Sequence, residues 1–267
     1  MLIAKEVLNV DVLLPAGGRV KGDFASLAGN EVKALIDFDG KSILERTLQA
    51  VRSIDAPGLR IHRVAVVGPT STHTLARASG ADYVLPETQT GSENILLGID
   101  FLQSRSTTTD RILIMTTDMP FVTADSIQGF IARCPSDAQV CVPVVERECF
   151  EKIYPGLIRT DTHLSDGWFR LGGMFLVDAN ALLTNRVHLE RVFEARKSNL
   201  KLAALIGLPM VLKYIARRLS SDDILQRAAQ ILQVSGAVIK GAPPEIGFDI
   251  DLQEEFEYAQ KRFQDMR

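Results

Sequence analysis

Cysteine is scarce in this chain: three residues in 267, Cys134, Cys141 and Cys149, and no two are spaced as Cys-x-x-Cys. An odd set without that spacing speaks against a disulfide framework and a zinc ribbon, and fits a reducing, cytoplasmic setting. Histidine adds little. His62, His73, His163 and His188 are scattered, none stands at metal-ligand spacing from another, and all four read as surface or loop residues. An excess of positive charge is also missing, since 30 Lys and Arg against 33 Asp and Glu leave a formal net charge of -3 and a pI of about 5.9. Without a global basic field, no nucleic-acid partner is expected. Neither a basic-then-apolar leader nor an apolar run long enough to cross a bilayer is found, so secretion and membrane insertion are not expected. Repeats, low-complexity tracts and the Ser-His-Asp and Cys-His nucleophile signatures are absent as well. What remains is a chain with 46% hydrophobic residues, enough for a large core in one α/β domain working on small molecules.

Apolar runs of strand length alternate with helix-period stretches through the first half, the pattern of a parallel sheet covered by helices on both faces. Strands are expected at 10–14, 64–67, 83–85, 112–115 and 140–145, with 112–115 central. Residues 34–38 read as a short extended piece closed by an Asp39-Gly40 turn. Helices are expected at 42–54, 72–78 and 93–102, the last followed by a Ser/Thr-rich turn. Residues 159–177 look β-rich around a Ser165-Asp166-Gly167 turn. From 188 to 232 helical periodicity takes over, broken at Pro209, with Ser220-Ser221-Asp222-Asp223 as an N-cap cluster. This stretch, set at 185–235, is expected to be an insertion or lid within a single domain spanning 1–267. Within it, 200–219 is apolar with Lys201, Lys213, Arg217 and Arg218 interspersed. A helix packed on the sheet with its charges solvated is the expectation there, attachment to a membrane surface the disfavoured alternative. The chain then returns to strand at 238–239 and 248–250 and closes with a helix over 253–263.

Three segments carry the candidate chemistry. The first strand runs into Pro15-Ala16-Gly17-Gly18-Arg19-Val20-Lys21-Gly22, with Lys33 following. Glycines there let backbone N–H groups approach phosphate oxygens, while Arg19, Lys21 and Lys33 offer the positive charge that a polyphosphate needs. The second is Thr116-Thr117-Asp118-Met119-Pro120, which puts Asp118 at the carboxyl end of a strand, where open α/β sheets bind ligands. Its carboxylate can hold Mg²⁺ or, alternatively, cap the helix after Pro120. The third is Gly247-Phe248-Asp249-Ile250-Asp251, in which either acid can complete a metal site and Asp251 can instead cap the last helix.

In this order, Leu14-Pro15-Ala16-Gly17-Gly18, Val32-Lys33-Ala34-Leu35, Gly40-Lys41-Ser42-Ile43-Leu44, Asp118-Met119-Pro120 and Asp249-Ile250-Asp251 resemble the signature of the nucleotidyltransferases with a GT-A-like fold. The MobA-like NTP transferases are the nearest branch. The resemblance implies a Rossmann-like three-layer α/β/α fold with a mixed, mostly parallel sheet and a helical insertion near the C-terminus. It implies that Leu14, Pro15, Ala16, Gly17 and Gly18 bind the nucleotide, the last three holding its phosphates. Lys21, in the place of the family's arginine, and Lys33 would lie near the reacting phosphate, with Arg19 sharing their work. Asp118 would hold Mg²⁺ together with Asp251 or Asp249. Gly91, Ser92 and Asn94 resemble the turn that contacts the base, although Ser92 also suits an N-cap. Gly172 and Gly173, in Arg170-Leu171-Gly172-Gly173-Met174, resemble the acceptor-side element, against a reading as close strand packing or a bulge.

The chain departs from that signature at Pro15, at Arg19 and in the long stretch 22–31, where phosphate geometry is expected to differ. The implied reaction moves an NMP group from an NTP to a phosphorylated small-molecule acceptor and releases pyrophosphate, with Mg²⁺ as cofactor. A GT-A glycosyltransferase using a nucleotide sugar and a non-catalytic nucleotide-binding module are the competing readings. The first needs no cationic glycine loop after strand one.

Overall fold

A computed structural model describes residues 7–105, 109, 111–157, 161–195 and 198–266. Residues 106–108 and 110 of the Ser/Thr-rich turn expected after the third helix, residues 159–160 of the β-rich stretch and residues 196–197 of the helical one lie outside the described residues.

The chain folds in the order β1 (Leu8–Pro15), α1 (Gly22–Ala28), β2 (Asp37–Phe38), β3 (Lys41–Ser42), α2 (Ile43–Arg52), β4 (Leu59–Gly68), α3 (Thr70–Ala78), β5 (Tyr83–Pro86), α4 (Gly91–Arg105) and β6 (Arg111–Met115). There follow α5 (Ala124–Ile131), β7 (Val140–Glu146), α6 (Arg147–Ile153), β8 (Thr162–Leu164), β9 (Gly167–Leu171) and β10 (Met174–Val177). The helices α7 (Ala179–Thr184), α8 (Arg186–Ala195), α9 (Asn199–Ile206), α10 (Leu208–Ile215) and α11 (Ser221–Leu232) come next, then β11 (Gly236–Ile239) and α12 (Gln253–Asp265).

The main sheet runs β5-β4-β1-β6-β10-β7-β9-β8, with β11 on β7. Strands β5, β4, β1 and β6 are parallel, β10 opposes them, and β7 and β11 resume the original direction. The sheet is therefore mixed and mostly parallel, as expected, and β6 lies in its middle. Alternation along β1 builds the layers. Val10, Val12 and Leu14 enter one large core, whereas Leu13 enters a second on the opposite face with Ala65, Val67 and Ile99. Helix α4 seats closely on that second face, because a Cβ at Gly98 would fall 2.2 Å from Leu13 Cδ1.

Local chemistry sets several boundaries. The Asp39-Gly40 turn joins β2 to β3 with positive φ at both residues, the twist that a two-residue hairpin requires. Ser42 and Glu45 form a reciprocal capping box at the start of α2. Ser220 and Asp223 do the same for α11, as the N-cap cluster implied.

Other expectations need correction. Residues 33–35 form a 3-10 turn, so the extended piece begins only at Asp37. The long stretch after Gly22 holds α1, and α6 was not foreseen. Helical structure begins at Ala179, earlier than expected. Residues 248–250 do not join the sheet. Pro243 and Pro244 lead into a 3-10 turn over 244–247, and the segment beyond it bonds to the loop after β6 through Ile250 N–H to the Asp118 carbonyl, 2.9 Å. Nor does α10 pack as expected, since it buries none of its residues.

Candidate nucleotide and metal site

Strands β1 and β6 are neighbours, so their carboxyl ends open side by side onto a cleft of about 470 Å³, a size usual for small-molecule sites. Pro15, Gly18, Lys33, Thr90, Gly91, Ser92, Ile95, Thr116, Thr117 and Asp118 line it. The turn after β1 is fixed at both ends. Ala16 N–H donates to the Val67 carbonyl at 2.7 Å, and Val20 N–H to the Glu31 carbonyl at 2.8 Å. Between these anchors, the amides of Gly17, Gly18 and Arg19 donate to no protein oxygen among the described residues. Three successive amides without a protein acceptor suit an anion.

Neither glycine has positive φ, and together they let the Glu87 and Lys33 side chains lie close over the turn. A Cβ at Gly17 would come within 2.7 Å of Glu87 Oε2, and one at Gly18 within 3.3 Å of Lys33 Cδ. Arg19 folds back, donating to the Gly17 carbonyl at 2.6 Å and to Glu87 Oε1 at 2.5 Å. Leu14 and Ala16 are buried behind the turn. Lys21 is exposed at the N-terminus of α1 and does not line the cleft.

Lys33 is carried over the turn by its backbone N–H, which donates to the Gly18 carbonyl at 3.0 Å. Its ammonium reaches Asp118 Oδ2 at 3.2 Å and also bonds Asp251 Oδ1. Burial pulls its pKa down, but Asp118 and Asp251 outweigh that effect and hold it above the ordinary lysine value. Asp118, Asp249 and Asp251 place carboxylate oxygens within 4.8 Å of one another, so segments more than a hundred residues apart meet at this point. Neither aspartate is used as a cap. Thr123 and Ser126 cap α5, while Glu255 accepts the Asp251 and Leu252 N–H groups ahead of α12. Asp118 Oδ1 is buried without a hydrogen-bond partner among the described residues. A buried carboxylate oxygen left over beside two further acids fits a hard cation that takes oxygen ligands.

On the opposite wall, Thr90 and Glu93 cap α4 reciprocally, both bonds at 3.2 Å, which leaves Ser92 free of capping to face the cleft. Asn94 is buried and accepts from Thr88 N–H at 2.6 Å, so it shapes the loop instead of lining the cleft. Gly172 and Gly173 form the break between β9 and β10. Gly173 accepts from Thr116 N–H at 2.8 Å, and a Cβ there would lie 2.6 Å from Thr116 Oγ1. Close packing accounts for this pair, at the same sheet edge as Asp118.

Sequence reasoning missed Glu87, Thr90, Ile95, Thr116 and Thr117 as site residues. Thr117, whose hydroxyl donates to the Pro15 carbonyl at 3.1 Å, ties the two strand ends together. Its place directly after the apolar β6 run was the available signal. Glu87 had none, since its role depends on a partner 68 positions away.

A mixed α/β sheet with an anion-ready turn, a bridging lysine and three clustered acids at one edge is the architecture of a nucleotide-handling transferase. Over residues 16–232 the chain matches the MobA-like NTP transferase domain, and it belongs to that family; it is a nucleotidyltransferase. It is similar to a hypothetical transferase from Thermus thermophilus, with 27% identity, a TM-score of 0.79, and 93% of this chain and 99% of that one covered. The 4-diphosphocytidyl-2C-methyl-D-erythritol synthase of Anaerococcus prevotii shares the fold at 12% identity and TM-score 0.58, over 96% of each chain. CMP:2-keto-3-deoxy-manno-octonic acid synthetase, solved with CTP, does so at 10% identity and TM-score 0.57, over 98% of this chain and 100% of that one. No curated protein matches the sequence.

Proposed function

We propose that the protein transfers a nucleoside monophosphate group from an NTP to a phosphorylated small-molecule acceptor and releases pyrophosphate, using Mg²⁺. The observation that carries this reading is the convergence of Lys33 with Asp118, Asp249 and Asp251 at the mouth of the cleft. Asp118 would hold the metal with Asp251 or Asp249. When bound, Mg²⁺ supplies charge against the triphosphate oxygens.

The remaining work belongs to the chain. The amides of Gly17, Gly18 and Arg19 receive phosphate oxygens, and Ser92 and Gly91 at the start of α4 face the nucleoside. The acceptor oxygen attacks the α-phosphorus, the bond to the bridging oxygen breaks, and pyrophosphate leaves with the electron pair. An ionised phosphate monoester is already a nucleophile, so no general base is required, and Lys33 offsets charge as it builds. Arg19 is the second cation at the turn, while Lys21, outside the cleft lining, has a lesser part. Gly172 and Gly173 border the acceptor side at the edge beyond Asp118. The helical stretch 185–235 shapes the acceptor pocket, supported by the bond from Ser221 of α11 to Asp166 in the β8–β9 turn.

CTP bound in one structural relative makes cytidine the first base to try. The test is pyrophosphate release from the pure protein with Mg²⁺, each of the four NTPs and a panel of phosphorylated metabolites. Release of a nucleoside diphosphate from nucleotide sugars instead would establish the glycosyltransferase reading.

A further inference from the structure

Helix α10 is built inside out. Leu208, Leu212 and Ile215 follow one another at helical spacings of four and three, which places them on a single stripe. They are 67%, 56% and 71% exposed; Tyr214, on the flank of the helix toward Met210, is 55% exposed. The polar contacts lie elsewhere: Lys213 turns aside to Asp223 Oδ1 at 2.6 Å. Met210, on the far side of the helix, packs toward Leu164, Phe169 and Leu219. The hydrophobic stripe thus faces away from the protein. Directly after it come Arg217 and Arg218, both exposed, with no ion pair among the described residues.

We propose that this face of α10 docks on the surface of an anionic lipid bilayer. The apolar stripe would enter the acyl boundary, Tyr214 would sit at headgroup depth, and Arg217 and Arg218 would meet lipid phosphates. Two features select lipid over a second copy of the chain. An eight-residue helix is about 12 Å long. Its exposed apolar face offers only the four side chains Leu208, Leu212, Tyr214 and Ile215, well short of the roughly 20–30 residues a side of a stable interface. A bilayer sets no such minimum, because lipid closes around a projecting ridge. The two arginines directly after the stripe also carry the charge that anionic headgroups match. Docking does not depend on nucleotidyl transfer and needs no nucleotide to be observed.

Co-sedimentation of the full chain with vesicles of phosphatidylglycerol and phosphatidylcholine, and with phosphatidylcholine alone, tests the proposal. The expected result is pelleting with the anionic vesicles at least several-fold above the neutral ones, weakened by added salt. Leu212→Glu/Ile215→Glu should reduce it about tenfold or more, and Arg217→Gln/Arg218→Gln should remove the preference for anionic lipid. Circular dichroism of both variants should match the parent, since these side chains are exposed. Failure to pellet with either vesicle overturns the proposal, as does pelleting that the first double variant leaves unchanged. A concentration-dependent dimer that Leu212→Glu/Ile215→Glu abolishes also overturns it, assigning the face to a second copy.

Discussion

Phe248 and Leu212 are both large apolar residues in the C-terminal half, and their surroundings are opposite. Phe248 is fully buried and lies 4.8 Å from the Phe121 ring and 4.9 Å from the Tyr154 ring, in an aromatic cluster that also includes Phe150 and Tyr258. Leu212 is mostly exposed on a helix with no fully buried residue. The first region uses its hydrophobic residues to hold a site: the aromatic cluster fixes the chain one residue before Asp249. The second region points the same residue type outward. A hydrophobic side chain therefore serves as a foundation or as a contact surface according to what covers it, and the sequence pattern alone does not distinguish the two.

The contrast can be tested at four strengths. Phe248→Ala should destabilise the fold by about 3–5 kcal/mol, read by urea titration, and should impair transfer as well because Asp249 loses its support. Lys33→Ala and Asp118→Asn should each lower turnover by about 10²-fold or more with unchanged unfolding midpoints, the size seen when a preorganised charge contact is removed. Normal pyrophosphate release by either variant would remove that residue from the mechanism.

A smaller effect concerns the joint between the two regions. Asp166 bonds Lys240 and Ser221; partial burial raises its pKa, but these bonds prevail and lower it to about 2 from 3.8. A depressed carboxylate pKa stabilises the fold above 3.8, and that contribution is lost as the pH falls through about 2. Asp166→Asn should flatten the fall of Tm across this window. Least of all, Leu212→Ala should leave stability within about 0.5 kcal/mol of the parent; a larger loss would mean that α10 is covered within the monomer.

The buried strands were legible because two covered faces leave continuous apolar runs in β1, β4 and β6, at 12–14, 64–67 and 112–115. The Asp39-Gly40 turn and the Ser42–Glu45 box were legible because each is set by neighbours in sequence. The three acids lie in separate motifs that the family resemblance joined into one expected metal site, and the fold brings all three together. Other features depended on partners that no local window contains. Arg19 was read as a cation for the phosphates, and its bond to Glu87 could not be foreseen. Ser92 was open to reading as a cap, a role that Thr90 fills. Residues 248–250 have strand composition, yet the prolines at 243 and 244 turn the chain before it can enter the sheet. The helical period of α10 was present in sequence, but which way the stripe faces is a property of the tertiary structure.

The bond from Ile250 N–H to the Asp118 carbonyl has its own consequence. Asp249 and Asp251 flank the residue whose amide is clasped to the main chain of the third acid, so peptide geometry sets the spacing of the triad. The donor is a main-chain group, so a replacement that keeps the buried apolar packing of Ile250 keeps the clasp, whereas proline, lacking that hydrogen, would open it.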